Sequence, residues 1–421
     1  ADTLSLPFFD EFTNTGIYPD STLWLNNQVY VNRHFGDLPP TLGVATFDVL
    51  DDRGQPYNNG TLNKDFTAAG DSLTSMPINL EDSAGQAYSL SDSFVLSFFY
   101  QPNGLGYHLE AEDSLRLFFK NEFDVWIQVW SAGGSDVKPF EYVSIPVDQP
   151  GYLHKGFQFM FTTWTRQVGN ANHWHIDYVL LDKDRSVQTD YFEDYAIQSQ
   201  PSSLLRSYYE MPLSHFLADP QNEVDDSIYF RASNLDQITL NIEVRHQLSY
   251  QGTTLANTAF AANAGNVPSR NSSRRRFEMV AFDAAIASGS APLSLDRITR
   301  VREAGVINKN TANDSVFTQQ MFWDYFAHDD GSAEQGFGFD QDINPTNIEG
   351  EIAYRFKLNH ADTLFAIAAF FNQAVFDVSR ETFTFRVWKQ IAGQGGASAD
   401  SLVYESEPLN PMYMDRINQF S

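Results

Sequence analysis

The chain has 421 residues, and 54 acidic against 27 basic side chains give it a formal net charge of -27 and a pI near 4.5. Such an acidic surface repels nucleic-acid phosphates and anionic lipid headgroups, which disfavours both as partners. The sequence contains no cysteine, so disulfides, thiol catalysis and thiolate metal sites are excluded.

The length exceeds what one hydrophobic core usually supports, so two or three domains are expected. Short apolar runs alternate with Thr, Asn, Asp and Gly, a pattern typical of β-strands and turns. No apolar run approaches the roughly 18 residues of a membrane helix, so we expect no direct membrane span. We therefore predict an all-β fold of tandem β-sandwiches.

The first predicted domain covers residues 1–190. Apolar and aromatic runs predict its strands at 6–12, 28–32, 94–100, 113–119, 124–130, 142–147, 157–163 and 172–181. In the last strand, alternation predicts two faces, one with Ile176, Tyr178 and Leu180 and the other with His175, Asp177 and Val179. An aspartate at the centre of such a strand requires a partner.

Two segments of this domain resemble one family. The opening Phe8-Phe9-Asp10-Glu11-Phe12, together with the closing pattern of an aromatic residue, Ile176-Asp177 and Val179, resembles jelly-roll domains related to MAM and laminin-G modules. The resemblance implies that the first and last strands pair in one sheet.

Two further domains follow in the prediction. Residues 191–322 contain a connector and then an immunoglobulin-like or fibronectin-like sandwich, in which Ile238, Leu240, Ile242 and Val244 line one face. Residues 323–421 are predicted as a third, partial sandwich with strands at 352–358, 363–371 and 383–387. We expect that this third domain is incomplete at the C-terminus because few strands are found in it.

Export is suggested by two strings. The segment 6–57 and the Asp329-Asp330-Gly331-Ser332-Ala333-Glu334 string resemble large exported proteins of Bacteroidota that the type IX secretion system handles. The resemblance implies a location outside a Gram-negative cell or on its surface, with a signal peptide already removed. It also implies partners among proteins of the outer membrane or the secretion apparatus.

Jelly rolls of the kind that this chain resembles often bind calcium where the first and last strands meet a loop, so the resemblance implies a site for an ion that prefers six to eight hard oxygen ligands. The candidates in the first domain are Asp10, Glu11, Asp51, Asp52 and Asp177, with Asp48; those in the third region are Asp329 and Asp330, with Glu334. The alternative is that the Asp-Asp-Arg-Gly and Asp-Asp-Gly strings are solvated turns, in which Asp and Gly are common.

Other chemistry is weakly indicated. His173 and His175, at i and i+2, could ligate a divalent metal, or could be hydrogen-bonded to neighbours. Trp126, Trp130, Trp164 and Trp174 could stack on sugars, or could pack in a core. No recognisable hydrolase, nucleotide or metalloprotease motif is present, so we predict no enzyme.

The predicted function is therefore a non-catalytic surface protein with a structural, adhesive or assembly role, as cargo or component of the secretion machinery. The alternative is a carbohydrate-binding module or glycan-active protein that recognises surface glycans. Adhesion predicts flat contact surfaces, whereas glycan binding predicts a concave surface with exposed aromatic residues.

Overall fold

The computed structural model describes residues 3–13, 16–58, 60–82, 84–86, 88–106, 108–260, 264–278, 292–303, 305, 308–332, 350–390 and 401–414. Over these ranges the chain is built from β-strands in several sheets, with two short α-helices. The predicted all-β class and its β-sandwich architecture are confirmed.

The first sandwich contains twelve strands. They are β1 Phe8–Asp10, β2 Tyr30–Asn32, β3 Val44–Phe47, β4 Asn63–Thr74, β5 Ile78–Asn79, β6 Val95–Pro102, β7 Ser114–Lys120, β8 Trp126–Gly133, β9 Glu141–Pro146, β10 Lys155–Phe157, β11 Phe159–Gln167 and β12 Trp174–Asp182. One sheet has the order β2-β3-β12-β6-β9, with β1 also on β12, and the other has the order β4-β11-β7-β8. Strands β5 and β10 form a small separate pair.

Alternation of side chains produces the core between these two sheets. In β7, Leu115, Leu117 and Phe119 are buried, whereas the residues between them are only partly covered. Aromatic rings from both sheets meet in this core, as where Phe98 lies 4.8 Å from Phe161 between ring centroids. This interdigitation is what a face-to-face packing of two sheets requires.

The expected pairing of first and last strands is confirmed, because Phe8 lies opposite Leu181 and Asp10 opposite Val179. The predicted alternation of β12 is wrong beyond Asp177. A register shift falls between Asp177 and Leu180, and Tyr178 has a φ of 55°. The bulge rotates the strand by one residue. As a result Val179 joins the core, while Tyr178 packs outside it.

The second sandwich contains eight strands. They are β13 Tyr195–Ile197, β14 Ser227–Asn234, β15 Leu240–Tyr250, β16 Thr253–Asn257, β17 Gly265–Val267, β18 Asn271–Glu278, β19 Leu293–Glu303 and β20 Ser315–Phe322. Helices α1 Leu213–Ala218 and α2 Pro220–Glu223 precede β14. The sheets have the orders β13-β14-β18 and β16-β15-β19-β20, with β17 on β15. Of the predicted apolar face, Leu240, Ile242 and Val244 are buried, but Ile238 precedes the strand and is exposed.

The third region differs from the prediction. Its described strands are the hairpin β21 Arg386–Gln390 and β22 Ser401–Glu405. The predicted strands at 352–358 and 363–371 are absent, and this stretch runs without sheet partners, with Phe365 99% exposed. Alternation sets which side a residue faces, but a strand also needs a neighbour to bond.

A loop of the first sandwich enters the second one. Leu42 packs in the core of the second sandwich, and the Ser233 hydroxyl donates to the Pro40 carbonyl at 2.6 Å. At Gly43 a Cβ would lie 1.8 Å from the Phe12 carbonyl oxygen, so this close approach to the first strand requires glycine. The loop 37–43 therefore joins the two sandwiches. This packing crosses the predicted domain boundary at 190.

Candidate cation site between the two sandwiches

Buried carboxylates meet where the two sandwiches touch. We call this group of side chains the junction cluster; its members are Glu11, Asp177, Asp194, Asn310 and Asn313. The first two were predicted as metal ligands from the sequence, and the other three were not.

Glu11 directly follows β1 and is 4% exposed. Its Oε2 atom accepts a hydrogen bond from Asn313 Nδ2 at 2.6 Å and another from Asn310. Both asparagines lie in the loop before β20. The first strand of one sandwich is therefore bonded directly to a loop of the other, across about 300 residues of sequence.

Asp194 lies next to Glu11, immediately before β13. Its Oδ2 atom accepts hydrogen bonds from the Tyr178 hydroxyl at 2.8 Å and from Asn313 Nδ2 at 3.0 Å. Because Asn313 donates to both Glu11 and Asp194, one amide group bridges two carboxylates. Tyr178 reaches this position because the bulge in β12 turns it away from the core.

Asp177 is held from the other side of the cluster by the loop 37–43. The Thr41 backbone N–H donates to Asp177 Oδ2 at 2.8 Å, and the Thr41 hydroxyl lies 3.1 Å from the same carboxylate. These are the partners that an aspartate inside a strand requires.

The electrostatics of the cluster disfavour its negative charge. Burial, and then the neighbouring Asp194, raises the pKa of Glu11 to about 7. Burial also raises the pKa of Asp194 and of Asp177, although hydrogen bonds from Asn313 and Thr41 oppose this effect. A bound cation would stabilise the ionised forms and lower these pKa values.

Several buried oxygens at this junction have no hydrogen-bond partner among the described residues. They are Asp194 Oδ1, Asn308 Oδ1 and Asn313 Oδ1. Asp194 and Asn308 also line a cavity of about 220 Å³, together with Glu193 and Asp236. Unpaired oxygens next to an acidic cavity form the kind of hard donor set that calcium prefers.

The amide groups can adapt to an ion. Asn310 and Asn313 turn their N–H₂ groups toward the carboxylates. Rotation of an amide by half a turn exchanges its nitrogen for its oxygen, so these side chains could supply ligands instead of donors. The residues present therefore fit calcium.

The other predicted metal ligands lie elsewhere and have protein partners. Asp10 accepts from Trp24 Nε1 at 2.7 Å and from the Phe12 N–H at 2.9 Å. Asp51 accepts from the backbone of Arg53 and Gln55, as expected for a turn. No described contact involves the side chain of the exposed Asp52.

The Asp-Asp-Gly string of the third region is also separate. Asp329 accepts the Gly331 N–H at 3.1 Å, in a turn. Asp330 accepts the Ser332 N–H and pairs with His34 Nδ1 at 3.0 Å. Burial opposes ionisation of Asp330, but His34 outweighs it and lowers the pKa to about 2. Glu334 and Asp48 complete the predicted set; the former lies outside the described residues, and the latter is buried after β3.

The two histidines of β12 are buried and do not converge on a shared ligand position. His173 Nε2 donates to Asn170 Oδ1 at 2.7 Å, and its ring stacks on Phe35 at 5.0 Å between centroids. His175 Nδ1 lies 2.8 Å from Thr46 Oγ1. Burial lowers the pKa of His173 well below its ordinary value and that of His175 to about 4. The hydrogen-bonded alternative describes them better than metal ligation.

A second group with metal-binding side chains joins the third region to α1. Ligand atoms of His215, His360 and Asp362 lie within 4.8 Å of one another. However, His215 Nδ1 accepts the Asn359 N–H at 3.1 Å, so a neutral ring carries its proton on Nε2, which faces Asp362 at 3.0 Å. That nitrogen then lacks a free lone pair for a metal. The group is a hydrogen-bonded contact, and no pattern in the sequence indicated it.

The tryptophans divide between core and surface. Trp174 is fully buried, as the core alternative predicted. Trp164 is 41% exposed, but the Arg116 guanidinium lies over its ring, 5.3 Å from the centroid. A cation on this face competes with a stacked sugar.

Comparison with protein-family models gives no match, and comparison with curated proteins gives none either. Among solved structures, a β-galacturonidase from Eisenbergiella tayi with bound galacturonate is similar at 9% identity and a TM-score of 0.28, covering 76% of this chain and 44% of that one. A β-glucuronidase from Bacteroides uniformis follows at 9% identity and 0.25, covering 70% and 32%.

A calcium-binding mutant of β-glucuronidase 2 from Bacteroides uniformis is similar at 8% identity and a TM-score of 0.24, covering 62% of this chain and 27% of that one. The chain thus spans less than half the length of each of these structures. Similarity at this level defines neither a family nor an activity for the chain. In the described part of the chain, no helix has the length and apolarity needed to cross a membrane.

Proposed function

We propose that this chain is a non-catalytic, exported surface protein of a Gram-negative bacterium that acts by adhesion. The observation that carries the proposal is the junction cluster, in which Glu11 bonds to Asn310 and Asn313 and makes one unit of two sandwiches. A fixed arrangement of sandwiches suits a protein that presents contact surfaces. The carboxylates of Glu11 and Asp194 share a hydrogen-bond donor in the Asn313 amide, which favours a structural role over acid–base chemistry.

Export is proposed from the sequence resemblance to type IX secretion cargo, and the strongly acidic composition is compatible with it. The test is fractionation of a tagged chain in the bacterium that produces it, with mass spectrometry of proteins that co-elute in mild detergent. Surface exposure with outer-membrane or secretion components supports the proposal. Recovery only from the cytoplasm would contradict it.

Calcium is proposed as the ion of the junction cluster, where it would hold the two sandwiches together. We assume a site with the affinity found in extracellular modules, so that about 10 mM calcium exceeds its dissociation constant about a hundred-fold. Binding then stabilises the folded state by roughly 2.7 kcal/mol. We expect a rise of several degrees in the melting temperature. The measurement is calorimetry of binding together with thermal unfolding.

The matched variants for this test are Asp194→Asn and Asp51→Asn. Each removes one negative charge, but only Asp194 belongs to the junction cluster, since Asp51 lies in a turn. Calcium should stabilise the wild type and Asp51→Asn, and not Asp194→Asn. An equal response of both variants would show that any bound calcium lies elsewhere.

Glycan binding is the second candidate function, and one specific observation favours it. A crevice of about 330 Å³ opens between the two sandwiches and is lined by convergent polar side chains. Its volume lies at the lower end of the range for small-ligand sites. A surface adhesin that recognises glycans would combine both candidate functions.

A further inference from the structure

The polar crevice lies on another part of the same junction. The first sandwich contributes residues between 33 and 39, the second contributes 198–202 and Tyr209, and the third region contributes Asp330. Three parts of the chain therefore form its walls, and they are positioned by the packing of the loop 37–43 described above. A single sugar ring is the size of ligand that such a volume accepts.

Arg33 is the side chain that gives the crevice its chemistry. It is half-buried, and its one described hydrogen bond runs from Nη2 to the Thr13 carbonyl at 3.0 Å. No described ion pair includes it, and burial without a compensating carboxylate lowers its pKa. A guanidinium has five N–H donors in a planar fork. Four of these five donors make no hydrogen bond among the described residues, and Arg33 lines the crevice.

The crevice is also lined by His34, Asp37 and Asp330. His34 is fixed at both nitrogens, because Nδ1 pairs with Asp330 at 3.0 Å and Nε2 lies 2.9 Å from Gln200 Nε2. Asp330 is therefore already paired. Asp37 also lines the crevice without pairing with Arg33 in the described structure, and its carboxylate can accept from a sugar hydroxyl.

We infer that the polar crevice binds a carboxylate-bearing sugar, with Arg33 pairing with the carboxylate and polar groups from the second sandwich bonding to the hydroxyls. A guanidinium matches a carboxylate with two parallel hydrogen bonds, which gives both strength and orientation. This inference deepens the proposed adhesive function, on which it rests, by naming the chemical class of the ligand. In a protein of net charge -27, a half-buried arginine that has no ion pair among the described residues also provides a local site for an anion.

The test compares two sugars that differ only at C6. Methyl β-glucuronide and methyl β-glucoside are titrated into the full chain by calorimetry, with NMR saturation transfer for weak binding. A charge-assisted pair predicts that the wild type binds the glucuronide about ten- to a hundred-fold more tightly than the glucoside. Equal binding of the two sugars, or binding of neither, would overturn the inference.

Variants test whether Arg33 is responsible for the preference for the glucuronide over the glucoside. Arg33→Gln should lose the preference for the glucuronide, whereas Arg53→Gln, in an exposed turn of the same sandwich, should keep it. If Arg33→Gln fails to fold, Arg33→Lys replaces it: it keeps the charge but lacks the planar fork, so the preference should fall and not disappear. A preference unchanged in the Arg33 variant would place the site elsewhere. These outcomes are independent of cell fractionation, which tests location at the cell surface.

Discussion

The first sandwich and the third region have similar alternating sequences but use them differently. In the first sandwich, Phe98 of β6 is fully buried and meets Trp130 and Phe161 from the opposite sheet. In the third region, the segment 351–371 exposes its large apolar side chains, Phe365 most of all. The difference teaches that an alternating pattern contributes to stability only where a second sheet covers its apolar side.

The largest effect is expected from a matched pair of phenylalanine substitutions that sharpens this comparison. Phe98→Ala leaves a cavity in a closed core and should lower the free energy of unfolding by about 3–5 kcal/mol. Phe365→Ser removes an exposed ring and should change it by less than about 0.5 kcal/mol. Chemical denaturation of both variants checks the pair. Similar losses would mean that the third region is covered in solution.

The second prediction concerns the pH dependence of the free energy of unfolding, to which Glu11 of the junction cluster contributes. The pKa of Glu11 is about 7 when folded and 4.5 ordinarily, so the folded chain holds a proton that the unfolded chain releases. This contribution to stability is therefore complete below about pH 4.5 and is lost as the pH rises through about 7. Its size is roughly 3 kcal/mol.

The measurement is unfolding at several pH values in this window with a calcium chelator. Glu11→Gln, which cannot ionise, should remove most of the fall in stability between about pH 5 and pH 8. Added calcium should offset the fall in the wild type. A pH dependence that persists unchanged in the variant would assign it to other carboxylates.

A smaller effect is expected at Thr41. Thr41→Val removes the hydroxyl next to Asp177 and should cost about 1–3 kcal/mol, since a buried carboxylate then loses a donor. Thr22→Val is the control, because the Thr22 hydroxyl also donates to an aspartate, Asp20 at 2.7 Å, but on the surface. That change should cost less than about 1 kcal/mol. Equal effects in thermal unfolding would contradict the structural importance of the loop 37–43.

Part of this arrangement could be predicted from the sequence. The opening and closing strands were identified by their aromatic and acidic residues, and Glu11 and Asp177 were among the candidates expected where these strands meet a loop. Asp194, Asn310 and Asn313 could not be found in this way. Asparagine is common in loops, and nothing in a single sequence links residues that are 300 positions apart.

The errors have two physical causes. The bulge at Tyr178 adds a residue to β12. An alternating sequence pattern does not predict this bulge, because it assumes the backbone conformation of a regular strand. In the third region, the alternating pattern from Ile352 to Leu358 indicated which face of a strand each residue would occupy. It did not indicate which strand would pair with it. Strand pairing depends on distant residues, so the sequence pattern was read as a sheet that the described structure does not contain.

The loop 37–43 sets an order of events during synthesis. When residues 1–190 have been synthesised, Leu42 lacks its packing partners, because the other buried members of its core cluster lie between residues 195 and 322. Glu11 likewise lacks two of its hydrogen-bond donors until Asn310 and Asn313 have been synthesised. The N-terminal sandwich therefore emerges with an uncovered loop that is closed only after most of the second sandwich has been made. The packing around the loop 37–43 therefore stays incomplete while about 120 further residues are synthesised. Chaperones can bind the nascent chain during this period.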